Sequence, residues 1–202
     1  MRLEALEFIK EITTLVTDIY NLTSKYDIVY SDPPWKQTKG NMRKCRPNQG
    51  KLLDYATLGI DEIKKMHEIV FANSVNKKHN VFMWTIDKFL HETEKMMKEL
   101  GYGLHARFIW DKENGVAPAF TVRYSHEYLL WFYRKGNILM PVKEAQGKYT
   151  TVLREPPTRH STKPVCAYEM IETMFPGTNK IEMFARNIRS GWDCWGNEIE
   201  EV

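Results

Sequence analysis

Apolar residues along this chain fall into two rhythms. Residues 26–35 read YDIVYSDPPW, and the β-branched and aromatic run in its first half has the pattern of a strand buried on both faces. Val81-Phe82-Met83-Trp84, residues 104–110, residues 127–133 (EYLLWFY) and residues 180–184 (KIEMF) predict further strands, the third of these turned by Gly136-Asn137. A helical period runs through Ile60, Ile63, Met66, Ile69 and Val70, and residues 88–100 form a second amphipathic helix closed by Gly101. Pro164 fits the first turn of a third helix over residues 165–175, with Ser161 and Thr162 as caps. Upstream, Leu6, Ile9, Ile12, Val16 and Ile19 make an apolar stripe over residues 2–22, a packing helix or an oligomerisation surface. Residues 111–122 and 185–198 read as loops. The alternation predicts an α/β sheet with crossover helices. It divides the chain into an N-terminal helix, residues 1–22, packed on one domain, residues 23–202.

Composition narrows the class of protein. Hydrophobic residues at 43% and charged residues at 27% describe a soluble globular chain, and a net charge of +3 permits an anionic partner without demanding one. No apolar run approaches the length of a membrane span, and the charges among the first 20 residues do not fit a signal peptide. Cys45, Cys166 and Cys194 are far apart and odd in number, which fits neither a disulfide framework nor a zinc spacing, so the expected compartment is the cytoplasm and no metal is expected. GxGxxG, P-loop, HExxH and GxSxG motifs are absent from the sequence.

The chemistry concentrates where strands end. The first strand must stop at Asp32, because Pro33 and Pro34 cannot donate ladder hydrogen bonds and Pro33 pushes Asp32 towards an extended backbone. A carboxylate, two rigid carbonyls and the Trp35 indole therefore emerge together at a strand end, where α/β sheets bind ligands. Such a group suits an exocyclic nucleobase amine, a poor nucleophile with a delocalised lone pair. Asp32 and the Pro33 carbonyl each accept one N–H, and Trp35 offers a face for the unstacked base. The plainer reading is a proline-stiffened turn with a core tryptophan. Beyond it, residues 36–51 hold Lys36, Lys39, Arg43, Lys44, Arg46 and Lys51 with no carboxylate, a basic loop suited to phosphate contacts or to gating. His126-Glu127 reads as a structural contact rather than an acid/base pair, and Trp84, Trp110 and Trp131 read as core. Lys163 sits where a helix begins, a position that favours anions. Arg186, Asn187, Asn197 and Glu198 lie beyond the last strand, which puts two polar clusters at strand ends.

With DPPW, RHSTKP and KIEMFARN…GWDCWGNE in this order, and VFMWT and HEYLL between them, the chain resembles a family of adenine N(6) methyltransferases. That family includes the catalytic subunit of the eukaryotic messenger-RNA methyltransferase and short bacterial and phage members, and the likeness runs from about residue 26 to residue 198. It implies a Rossmann-like domain with a mostly parallel sheet flanked by helices, a permuted motif order, and S-adenosylmethionine as cofactor. It implies that Asp32, Pro33, Pro34 and Trp35 are the catalytic motif. Asp32, Lys163, Phe184, Arg186, Asn187, Asn197 and Glu198 match cofactor positions, the last being a carboxylate where the family often has an amide. Nucleic acid is assigned to Lys36, Lys39, Arg43, Lys44, Arg46 and His160. The chain lacks the zinc-finger and partner domains of the messenger-RNA enzyme, so DNA in a bacterial or phage-infected cell is favoured over RNA, with a homodimer or a protein partner in view. A cytosine N(4) methyltransferase and a catalytically silent nucleic-acid-binding subunit are the rival readings.

Overall fold

The computed structural model describes residues 15–36, 57–115, 122–158, 162–196 and 199. Seven strands form one sheet in the order β5-β3-β4-β2-β1-β6-β7: β1 Tyr26–Ser31, β2 Val75–Thr85, β3 Tyr102–Asp111, β4 His126–Arg134, β5 Val152–Arg154, β6 Lys180–Met183 and β7 Asp193–Trp195. Among the described residues three α-helices flank it: α1 Ile60–Asn73, α2 Leu90–Glu99 and α3 Val165–Met174. β1 pairs in parallel with β2 and β6, β6 with β7, and β3 with β5. Only β4 runs antiparallel to its neighbours, β2 and β3. The expected Rossmann-like, mostly parallel sheet is therefore present, with one reversed strand. The reversal decides the site, because the start of β4 shares a rim with the exits of β1, β2 and β6.

Both faces of the sheet are covered, which is why the central strands are continuous apolar runs rather than alternating ones. α1 and α2 lie on one face, where Ile63, Val70, Phe71, Met96 and Met97 pack with Val29, Val81 and Met83. α3 covers the other, where Ala167, Met170 and Ile171 pack with Ile28, Tyr30, Phe82 and Trp84. On β3 a bulge between Leu104 and Ala106 switches faces: Tyr102 and Leu104 join the α1 and α2 core, and Phe108 and Trp110 join the α3 core. Trp84, Trp110 and Trp131 are buried, as expected for core residues.

Several expectations are corrected. Residues 1–14 of the expected N-terminal helix lie outside the described residues, and from Leu15 the backbone is not α-helical. Leu15 bridges to Cys194 beside β7, and the following turn is a short 3-10 segment, Ile19–Asn21, capped by Asp18. β5 and β7 were not foreseen, being three residues long and set in polar, turn-rich sequence. α3 has Pro164 at its N-cap and no cap from its own neighbours, and Ser161 lies outside the described residues. Its first amides, Val165 N–H and Cys166 N–H, donate instead to the Glu155 carboxylate, at 2.8 Å each. The anion favoured at this helix start is thus one the chain itself supplies.

Candidate active site

Beyond β1 the backbone is held on both sides. The Asp32 amide donates to the Met183 carbonyl at 3.3 Å, Trp35 N–H to the Pro33 carbonyl at 2.8 Å, and Leu58 N–H to the Pro34 carbonyl at 2.9 Å. The Pro33 oxygen keeps a second lone pair for a further donor. Trp35 departs from expectation. It is only 5% exposed, its ring stacks on Phe89 with centroids 5.4 Å apart and planes at 19°, and its indole N–H donates to the Trp84 carbonyl at 3.2 Å. The face reserved in the sequence reading for an unstacked base is taken by the protein, because Phe89, distant in sequence, arrives on the turn before α2. Trp35 acts as an anchor behind the turn.

Asp32 points the other way, to the α3 side. Lys163 Nζ lies 2.9 Å from Asp32 Oδ1 and 2.8 Å from Glu127 Oε2, and Lys112 Nζ lies 2.5 Å from Glu127 Oε1. Four charges of alternating sign therefore run along the rim. Burial lifts the Asp32 carboxyl above the usual carboxylate range, and Lys163 offsets this only in part. Burial works against the charge on Lys163 too, yet its two carboxylates hold its pKa above the ordinary lysine value. Glu127 is desolvated as well, but the two lysines keep it below its ordinary value. Glu127 is thus a satisfied contact, as read from sequence, and it adjoins the cleft through Lys163, which it shares with Asp32. Its neighbour His126 turns aside, Nε2 3.0 Å from the Tyr128 hydroxyl.

A cleft opens beside Asp32, with Lys163, Tyr168, Glu182, Phe184, Arg186 and Asn187 among its lining residues and about 630 Å³ of empty space counting that open to solvent. Glu182 was missed by the sequence reading. It lies inside the strand segment KIEMF, accepts from the Tyr168 hydroxyl at 2.8 Å, and its pKa is lifted by burial to about 7. A carboxylate at an inward position of a buried strand was the available signal. Immediately after β6, Phe184 takes a left-handed backbone with φ of 64°. Such a conformation is uncommon away from glycine and recurs at functional sites. Gly196 packs against the same corner: a Cβ there would sit 2.0 Å from the Ala185 carbonyl oxygen. The loop between β6 and β7 is pinned by Arg189, whose guanidinium binds the Glu172 carboxylate of α3 at 2.7 and 2.9 Å, and by Trp192, whose indole donates to Glu172 at 2.7 Å. Ile188 is left 47% exposed at the cleft.

The structure therefore gathers Asp32, Lys163, Phe184, Arg186 and Asn187 around one cleft, with Pro33, Pro34 and Trp35 forming its support. Lys36 is exposed just past the anchor. Lys39, Arg43, Lys44, Arg46, His160, Asn197 and Glu198 lie outside the described residues. Among the described residues no cluster of three or more His, Cys, Asp or Glu is arranged to hold a metal ion. The donor set fits S-adenosylmethionine by its chemistry: carboxylates on Asp32 and Glu182 suit a cationic head, Lys163 suits a carboxylate, and Phe184 and Ile188 offer apolar surface.

The family model MT-A70 matches residues 26–198. The chain is 29% identical over 192 residues to a Type II methyltransferase, M.MunI, from Mycoplasma sp, an alignment covering 88% of this chain and 79% of that protein. It is 27% identical over 191 residues to the N(6)-adenosine-methyltransferase catalytic subunit METTL3 of Homo sapiens, covering 90% of this chain and 30% of that one. With the N(6)-adenosine-methyltransferase MT-A70-like protein of Drosophila melanogaster it shares 27% identity over 187 residues, or 28% of that relative's length. The chain thus spans most of the bacterial relative and less than a third of the two animal ones.

Proposed function

The chain belongs to the MT-A70 family of S-adenosylmethionine-dependent adenine N(6) methyltransferases, and from that premise we propose that it methylates the exocyclic amine of adenine in DNA. The observation that carries the reading is Asp32, fixed at the exit of β1 beside the cleft and paired with Lys163. S-adenosylmethionine, when bound, supplies a methyl group made electrophilic by its sulfonium. The chain supplies orientation. Asp32 and the free lone pair of the Pro33 carbonyl each accept a hydrogen bond from one N–H of the amine, which localises the nitrogen lone pair as attack begins. The backbone bonds behind Pro33 and Pro34 keep these acceptors from reorganising. Lys163 and Glu182 would hold the charged end of the cofactor, and Arg186 and Asn187, which line the same cleft, its remaining polar groups. A target in a duplex must first leave the stack, at about a few kcal/mol. Trp35 plays no part in receiving it, and its role is to hold the turn.

Support for DNA comes from the relative named a Type II methyltransferase, of which this chain covers the greater share. The relatives named for adenosine support RNA as the second reading. Incubating purified protein and isotope-labelled S-adenosylmethionine with DNA and with RNA, then identifying the nucleosides by mass spectrometry, decides. N(6)-methyldeoxyadenosine is expected. N(6)-methyladenosine moves the assignment to RNA, N(4)-methylcytosine moves it to the cytosine enzymes, and failure to bind the cofactor revives the silent-subunit reading.

A further inference from the structure

Beneath Asp32 lies a polar pair that the chemistry above does not use. Ser31 Oγ and His67 Nε2 are 2.9 Å apart, and both residues are fully buried. His67 Nδ1 lies 2.7 Å from the Ile63 carbonyl oxygen, one turn back in α1. A carbonyl only accepts, so Nδ1 carries the proton, Nε2 is the acceptor, and the Ser31 hydroxyl donates to it. Burial lowers the His67 pKa to about 4, so the ring is neutral at physiological pH. A serine and a histidine in contact suggest an activated nucleophile, but neither side chain is open to a substrate, and Nδ1 is oriented by a backbone oxygen rather than a carboxylate.

The position of the pair explains it better. Ser31 is the last residue of β1 and Asp32 follows it, so this bond fixes the residue from which Asp32 departs. The same imidazole lies 6.0 Å, centroid to centroid, from the ring of Phe184, the left-handed residue at the exit of β6. One side chain from α1 thus braces two neighbouring strand exits, and these form adjoining walls of the cleft. A methionine or leucine at position 67 would fill the space but leave the buried Ser31 hydroxyl without its acceptor, so the hydrogen bond supplies what packing alone does not, a direction.

We propose that His67 is a positioning residue for methyl transfer: through its bond to Ser31 and its contact with Phe184, it sets the orientation of Asp32 relative to the cofactor cleft. The proposal rests on the methyl-transfer reading. Four variants test it: Ser31→Ala removes the donor, His67→Phe keeps a ring but no acceptor, His67→Gln restores an acceptor, and Ser31→Ala with His67→Phe removes both. Single-turnover methyl transfer at saturating cofactor and nucleic acid should fall about 10-fold to 30-fold in Ser31→Ala and His67→Phe, because small misplacements at a reacting group cost up to about 100-fold. Apparent substrate affinity should hardly change, His67→Gln should recover to within about 3-fold of the parent, and the double variant should be no slower than His67→Phe. Hydrogen exchange supplies a readout free of turnover: the Asp32 amide, bonded to Met183 O, should lose protection in Ser31→Ala and His67→Phe. If His67→Phe does not fold, Ser31→Ala carries both measurements. Folded variants that keep the parent rate, or that slow the reaction with no rescue by glutamine, overturn the proposal, as does an Asp32 amide equally protected in all of them. A parent protein inactive on every nucleic acid would instead overturn the methyl-transfer reading, and the exchange measurement would still decide whether His67 braces Asp32.

Discussion

The two sides of the rim at Asp32 are built from opposite materials. On the α1 and α2 side stand Ser31, His67 and Trp35, neutral, buried and satisfied by hydrogen bonds within the protein, with the half-buried Phe89 stacked on the indole. On the α3 side stand Asp32, Lys163, Glu127 and Lys112, charges in sequence, the first two of which line a cleft together with Glu182. A neutral, dry arrangement holds its geometry without depending on the protonation of its neighbours. A linked set of buried charges is worth little net stability, because desolvation cancels most of the attraction, but it is ready to interact with a charged ligand. The division assigns immobility to one side and chemistry to the other.

Variants on each side separate the two roles. Asp32→Ala carries the largest expected effect: methyl transfer falls by about 100-fold to 1,000-fold, on the scale of losing a preorganised electrostatic contact. Its thermal unfolding stays cooperative, since Lys163 keeps Glu127 as a partner. Nucleoside mass spectrometry and a melting curve measure the two halves, and near-normal turnover would remove Asp32 from the reaction. On the opposite side, Trp35→Ala should cost about 3–5 kcal/mol in chemical denaturation, the range for emptying a buried aromatic site. A loss below about 1 kcal/mol would mean that the indole is no anchor.

Glu182→Gln has a smaller, pH-dependent effect. The Glu182 carboxyl is lifted from an ordinary value of 4.5 to about 7 in the fold. Its ionised form is therefore disfavoured by folding, and the parent loses stability as pH rises from about 4.5 to about 7, by up to about 3 kcal/mol. Melting temperatures of parent and Glu182→Gln should lie together near pH 4.5 and diverge as pH rises to about 7, the parent declining and the glutamine variant lacking this slope. Identical slopes would place Glu182 in a wetter setting than its bond to Tyr168 implies. The smallest effect belongs to Lys36→Ala, at the exposed edge. Stability should be unchanged, and nucleic-acid affinity should weaken by less than about 1 kcal/mol, with a shallower salt dependence. An unchanged salt slope would take Lys36 off the nucleic-acid path.

The sequence revealed what local chemistry dictates. Pro33 and Pro34 force the end of β1 wherever the rest of the chain goes, so Asp32 at a strand exit was readable, as was the helix opening after Pro164. What it concealed depends on distant partners. Whether the Trp35 indole faces outward or inward is decided by Phe89. Glu127 comes beside the site only because β4 runs backwards, and no local pattern in HEYLL encodes strand direction. The α3 cap comes from Glu155, beyond the range in which capping residues are sought. β7 escaped notice because the segment around it, rich in glycine and polar residues, has no alternating pattern, and its pairing to β6 comes from the sheet. Glu182 is hard to read from sequence because charged and apolar residues alternate in Lys180–Met183, as on a half-exposed strand, whereas all four positions are buried.

The reversal of β4 also has a bearing on biosynthesis. Asp32 leaves the ribosome early and its counter-ion Lys163 late, with Glu127 between them, and the three meet only once the middle of the sheet has closed over long sequence separations. Until then Asp32 has neither its lysine nor a formed cavity, so a partly made chain carries the DPPW signature with no means of using it. Competence arrives with the final strands, and a measurement of cofactor capture during translation would double as a clock for completion of the fold.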